Sequence, residues 1–156
     1  MDPSLLVTAS HLSLQSGNRD EALTYLAQAA DSPGEKSPEA QLEIAAGYLA
    51  AGELDRAVEL LEEMPAGGAN SLQRDSLLIA ALLRQGKTAE ATAKADALAA
   101  AAGSRTAERN LAAATYAAAG RTDRARTEYE KVLEAKPGDT ATLLNLARLD
   151  LQERKG

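Results

Sequence analysis

Four glycines recur at nearly constant intervals along this chain, and they restrict its fold more than any other feature. Gly17, Gly52, Gly86 and Gly120 are spaced 35, 34 and 34 residues apart. Five residues after each stands an alanine: Ala22, Ala57, Ala91 and Ala125. A glycine just past a helix takes a left-handed conformation without a Cβ clash, so it closes one helix and permits a tight turn into the next. The small residue beyond it lets the second helix approach the first. Four residues further, Leu26, Leu61 and Tyr129 bring the bulk that fills such a hairpin, with Ala95 the exception. The repeating unit is helix, glycine turn, helix, and it is clearest from Thr106 to Asp139.

The residues between the glycines are helix formers. Ala and Leu supply 35 and 24 positions, whereas Trp and Phe are absent, so an all-α chain is expected. Asp2-Pro3 and Ser37-Pro38 each place a capping side chain before a proline suited to a first helical position. Asn70 with Gln73 reads as a capping box, and Asp139 as the cap of a last helix. Breaks at Asp31–Gly34, Pro65–Gly68, Gly103-Ser104 and Pro137-Gly138 complete the division. The pattern predicts nine helices, near 3–16, 20–30, 38–51, 54–64, 71–85, 88–102, 105–119, 122–136 and 140–154. First-helix core positions align at Ile44, Leu78, Ala112 and Leu146, with Tyr48, Leu82 and Tyr116 as the next tier. An up-and-down bundle would show apolar stripes too, but it has no need of a fixed 34-residue register.

That period and motif resemble the tetratricopeptide repeat, a helical hairpin of 34 residues. The resemblance implies an α-α superhelix, a single solenoid over 1–156 with about four and a half repeats. The repeats fall near 3–37, 38–71, 72–105 and 106–139, with a half repeat at 140–156. The bulky aromatic usual early in the first helix is replaced by Leu6, Gln41, Asp75, Arg109 and Leu143. The stretches LLEEMPAGGANSLQRDSLLIAALLRQGKTAEA (60–91) and LNLARLDLQERKG (144–156) are similar to the large tetratricopeptide lipoproteins of bacterial PEP-CTERM sorting and exopolysaccharide systems. This second resemblance implies an excerpt of a longer, membrane-anchored protein of the periplasm or cell envelope; without it a cytoplasmic setting is expected.

Little in the chain points to chemistry. There is no cysteine, hence no disulfide and no thiolate site for a metal. No apolar run reaches the length of a membrane span, and Met1-Asp2-Pro3-Ser4 lacks the basic start of a signal peptide. The net charge of −6 divides into −9 over residues 1–71 and +3 over 72–156, which disfavours nucleic acid as a partner. The only histidine, His11, has no companion ligand for a metal or cofactor. Glu62-Glu63 and Glu128/Glu130 are neighbours in sequence but diverge on a helix, and are expected on solvated outer faces. Arg121, Arg124 and Arg126 read as a solvated helix start. No catalytic residue is assigned, and an enzyme is not expected.

What remains is the groove. In tetratricopeptide arrays the first helix of each repeat lines the concave face, and the aligned register nominates His11, Leu42, Glu43, Leu49, Leu77, Leu83, Arg84, Asn110, Leu111, Leu144, Asn145 and Arg148 as partner-binding residues. Val7, Leu14, Gln73, Ala46, Ala80 and Ala114 share that register. The family's carboxylate clamp is not reproduced: Glu43 stands where the clamp has Asn, and Gln73 and Leu77 where it has Lys and Arg. A scaffold that holds a peptide, helix or partner protein is therefore expected. The alternative is a structural spacer within a longer solenoid.

In the half repeat, Leu143, Leu146 and Ala147 are expected to pack back on the preceding hairpin. Leu149 and Leu151 are then left for further repeats or a second copy of the chain. The turn reading carries a test. Gly86→Val should cost about 1–3 kcal/mol in a denaturant titration, because a β-branched residue resists positive φ. A loss under about half a kcal/mol would remove the turn from the fold's requirements.

Overall fold

The computed structural model describes residues 2–155. They form nine α-helices and no strand: α1 (Pro3–Gln15), α2 (Arg19–Ala30), α3 (Pro38–Ala51), α4 (Leu54–Glu63), α5 (Ser71–Arg84), α6 (Thr88–Ala102), α7 (Thr106–Ala118), α8 (Thr122–Ala135) and α9 (Thr140–Lys155). Each agrees with the expected boundaries to within a residue. The protein is an all-α array of antiparallel helical hairpins.

The four register glycines sit at helix ends with φ of 78°, 82°, 77° and 76° in chain order, the left-handed geometry the spacing demanded. The alanines that follow them, Ala22, Ala57, Ala91 and Ala125, have no exposed surface at all. Caps explain where helices start. Asp2 accepts from the Ser4 amide at 3.0 Å, Ser37 from Ala40 at 3.1 Å and Asp139 from Thr142 at 3.0 Å. The expected capping box at Asn70 does not form. The Asn70 amide instead donates to Glu39 Oε1 at 3.0 Å, tying the start of α5 to the start of α3 and holding the Glu39 carboxyl below its usual range.

The chain divides into two compact units, with the division between Gln85 and Gly86. In the first, α1–α2 and α3–α4 form hairpins, and α5 packs on α3 and α4. Leu6, Leu26, Ile44, Tyr48 and Ala57 make its core. In the second, α7–α8 forms a hairpin between α6 and α9. Its core gathers Ala95, Ala112, Tyr116, Ala125, Tyr129 and Leu149.

The C-terminal helix departs from expectation. Leu149 is buried at 1 % exposure, while Leu143 is 47 % exposed and Ala147 is open; only Leu146 leans on the core as expected. The register gives the reason. Leu149 occupies the position of Gly47, Ala81 and Thr115, each 34 residues apart, and the last two are buried as well. Leu143 shares its position with Gln41, Asp75 and Arg109; no helix among the described residues follows α9 to cover it.

Gly47 shows what that position does. A Cβ placed there would collide with Leu26 Cδ2, so α3 approaches α2 closely only because the side chain is absent. Leu26 is fully buried and has little room to yield. Helix propensity favours alanine over glycine by about 1 kcal/mol, whereas overpacking a closed core costs about 1–3 kcal/mol. Gly47→Ala is therefore expected to lower stability by about 1 kcal/mol in urea melts. In a Leu26→Ala background the same change should stabilise. Equal effects in both backgrounds would show that the two residues do not meet.

Candidate functional site

Within the first unit, α1 and α3 enclose a cleft of about 520 Å³. On α1 it is lined by Ser4, Val7, Thr8, Ser10, His11 and Leu14, spaced so that successive turns present one face. On α3 it is lined by Glu43, Ala46, Gly47 and Ala50. Ala46 and Ala50 end at Cβ, and this missing bulk is what opens the space. Val7 and Leu14 supply most of the apolar wall, and both rest against the core beneath.

The polar groups of the cleft are mostly acceptors. Gln15 Nε2 lies 3.2 Å from His11 Nε2, within hydrogen-bond reach. Thr8 Oγ1 donates to the Ser4 carbonyl at 2.9 Å and keeps its lone pairs. Ser10 is 1 % exposed, and its hydroxyl has no hydrogen-bond partner among the described residues. Glu43 is exposed and makes no ion pair among them, and no Lys or Arg lines the cleft.

Of the nominated groove residues, His11 and Glu43 meet in this cleft, together with Val7, Leu14 and Ala46 from the same register. Leu42 does not join them. At 2 % exposure it belongs to the core, because it lies one residue off the Glu43 face of α3. Leu49 is half-buried and packs against the core, and its carbonyl accepts from Arg84 Nη1 at 2.7 Å. Arg84 thus serves the C-terminal end of α3, where a cation is favourable. Leu77 and Leu83 are half-buried on α5. In the second unit Asn110 Oδ1 accepts from Thr142 Oγ1 at 3.1 Å, joining α7 to α9. Leu111 and Asn145 are half-buried there, while Leu144 and Arg148 are exposed. The cleft residues not nominated are Ser4, Thr8, Ser10, Gly47 and Ala50. Ser10, Gly47 and Ala50 lie three or four residues from Val7, Glu43 and Ala46, so helical spacing alone could have found them.

Two polar clusters in the second unit also correct the sequence reading. Glu128 is not on a solvated face. It is 8 % exposed and pairs with Arg109 at 2.7 Å, while Arg109 also donates to the Gly103 carbonyl at 2.7 Å. The aromatic missing early in α7 is thus replaced by an ion pair to α8. Arg124 and Arg126 are likewise engaged. Arg124 meets Asp96 at 2.6 Å and lies 4.4 Å from the centre of the Tyr116 ring; Arg126 meets Asp150 at 2.6 Å and Glu153 at 2.9 Å. Tyr116 donates its hydroxyl to Asp96 at 2.6 Å. Burial and that bond push the phenol up to about 12, and the same bond holds the Asp96 carboxyl below its usual range.

Among the described residues no three His, Asp or Glu side chains are placed to hold a metal ion, and no helix is long and apolar enough to cross a membrane.

Helical hairpins with a glycine turn, a buried alanine beyond it and a cleft between successive first helices define a tetratricopeptide-type protein. The chain belongs to that family: tetratricopeptide-repeat profiles match residues 13–78 and 106–149, together more than two thirds of it. Solved structures share the fold. A thermophilic tetratricopeptide protein of Thermus thermophilus, TTC0263, superposes with a TM-score of 0.65 at 21 % identity, over 97 % of this chain and 82 % of its own. MamA (41-end) from Desulfovibrio magneticus RS-1 superposes with a TM-score of 0.61 at 20 % identity, over 97 % of this chain and 85 % of its own. No curated protein matches the chain in sequence.

The Tyr116–Asp96 bond makes stability depend on alkaline pH. A phenol whose pKa is raised by folding stabilises the fold fully below its unfolded value of about 10, and that contribution is lost as pH rises toward about 12. Chemical denaturation across that window should show the wild type losing stability faster than Tyr116→Phe. Parallel curves would mean that the hydroxyl is not held as described.

Proposed function

We propose that this chain is a non-catalytic interaction scaffold that seats a helical or extended segment of a partner protein in the cleft between α1 and α3. The tetratricopeptide fold fits a protein-interaction scaffold. The observation that supports the finer reading is the floor of Ala46, Gly47 and Ala50, which leaves about 520 Å³ open beside apolar walls. Cleft binding of this kind draws its affinity from apolar burial and its orientation from a few polar groups, here His11 and Glu43. Within the same unit the nominated Arg84, Leu77 and Leu83 of α5 would extend contact along a longer ligand. The unbroken glycine register favours one continuous repeat array over residues 1–156. The likeness to PEP-CTERM-associated lipoproteins favours a place in a bacterial envelope. A spacer within a longer solenoid is the competing reading, and the exposed Leu143 and Leu151 on α9 favour it, since further repeats or a second copy would cover them.

Site-specific photocrosslinking separates these readings. A photoreactive residue at Ala50, on the cleft, is compared in native cells with one at Glu59, on α4. A discrete adduct from Ala50 and none from Glu59 is the expected result. Equal labelling at both positions, or none at Ala50 in cells where the chain is abundant, would leave the spacer.

A further inference from the structure

The cleft between α1 and α3 is lopsided in its hydrogen-bonding chemistry. Its lining offers a free carboxylate at Glu43 and lone pairs on the hydroxyls of Ser4 and Thr8 beside the His11 imidazole, with the Ser10 hydroxyl closed off beneath and no Lys or Arg among them. The surroundings share that sign. Residues 2–85 carry thirteen acidic and five basic side chains, a net charge of −8, and none of the five basic ones lines the cleft. Such a field draws cations toward an apolar-walled recess.

Ser10 adds an independent sign of a missing partner. On the same helix Thr8 and Ser16 donate to carbonyls four residues back, at 2.9 and 3.0 Å. Ser10, in an equivalent helical setting, does not. Its oxygen is closed to water and unbonded. Buried hydroxyls are normally satisfied, and an orphan one lowers stability until something bonds it.

We propose that the cleft receives one cationic side chain of its partner, a lysine or arginine. Its apolar stem lies along Val7, Leu14, Ala46 and Ala50, and its N–H groups donate to the Glu43 carboxylate and, once the Ser10 side chain turns toward the cleft, to Ser10 Oγ. Long basic side chains are suited to this, because they bury an aliphatic stem while the head stays paired. Lysine brings three donors on a point charge; arginine brings a planar fork that bonds a carboxylate in two places. The assignment rests on the partner-binding reading of the cleft, and it narrows the partner to a segment with a basic residue among apolar ones.

The test uses the whole chain and a phage-displayed library of random peptides of about twelve residues, enough to pass a site this size with flanking contacts. Selection is made on the wild type, with Ala50→Trp as the counter-target because it fills the cleft from an exposed position. Enriched peptides are then synthesised with lysine, arginine or norleucine at each basic position, and their affinities are measured by fluorescence anisotropy. Each peptide should hold one Lys or Arg whose change to norleucine weakens binding about tenfold or more. Glu43→Gln should weaken the basic peptide about tenfold and leave the norleucine peptide unchanged, the signature of a direct pair in a double-mutant cycle. Ser10→Ala should weaken the basic peptide about threefold while leaving the chain's melting temperature equal or higher. Circular dichroism on each variant checks folding. Peptides blocked by Ala50→Trp but indifferent to norleucine or to Glu43→Gln would overturn the cationic assignment and leave the partner cleft standing. Absence of any peptide that Ala50→Trp blocks would remove both.

Discussion

Each hairpin closes on an alanine that has lost all contact with solvent. Ala22, Ala57 and Ala125 are fully buried where α2, α4 and α8 pack on the helices before them, and a larger side chain there would push the helices apart. The glycine five residues earlier turns the chain with positive φ, and the alanine then permits the approach that the turn directs. The larger core residues depend on that closure. Tyr48, Leu61, Leu78, Tyr116 and Tyr129 are buried because the hairpins are tight enough to enclose them. In a protein with no Trp or Phe the core is built from closeness and not from bulk.

The same economy operates between hairpins. The position held by Gly47, Ala81, Thr115 and Leu149 grows in size along the chain, and it is buried at the last three and half-buried at Gly47. At Gly47 the neighbouring Leu26 takes the volume a side chain would fill. At Leu149 the side chain itself supplies the bulk beside Tyr129. One site in the register therefore accepts four residues, because what must be kept is the filled space and not the residue that fills it. Beside it Ala46 and Ala50 leave the opposite α1 wall facing empty volume, so tight packing and an open cleft come from neighbouring small residues of one helix.

Electrostatics separates the two units. The second is laced with ion pairs: Arg109 with Glu128, Arg124 with Asp96, and Arg126 with Asp150 and Glu153. Those arginines are thus engaged within the unit. The Arg109–Glu128 pair is the most enclosed, and removing one partner alone would strand a buried charge at a greater cost than any surface pair. The first unit keeps much of its negative charge unpaired. Glu43 is among these free carboxylates, and it stands at an apolar recess where a charge interacts strongly with whatever enters.

The sequence by itself determined the all-α class, the repeat, the helix boundaries and the turn geometry. Each of these follows from the conformational preference of a residue and its near neighbours: a glycine that accepts positive φ, an aspartate before a proline, an alanine at fixed distance. The tetratricopeptide register also put Val7, His11 and Leu14 of one first helix and Glu43 and Ala46 of the next on the same expected groove. Only the tertiary structure decided that Leu42 is core, that Leu149 and not Leu143 is covered, that Glu128 is buried with Arg109, and that Ser10 is left without a partner. Those outcomes turn on which helix lies opposite, and a face has no partner until the hairpins stack. A one-residue offset on a helix is a rotation of about 100°, enough to exchange the cleft for the core, and local preference carries no information about which of the two it will meet.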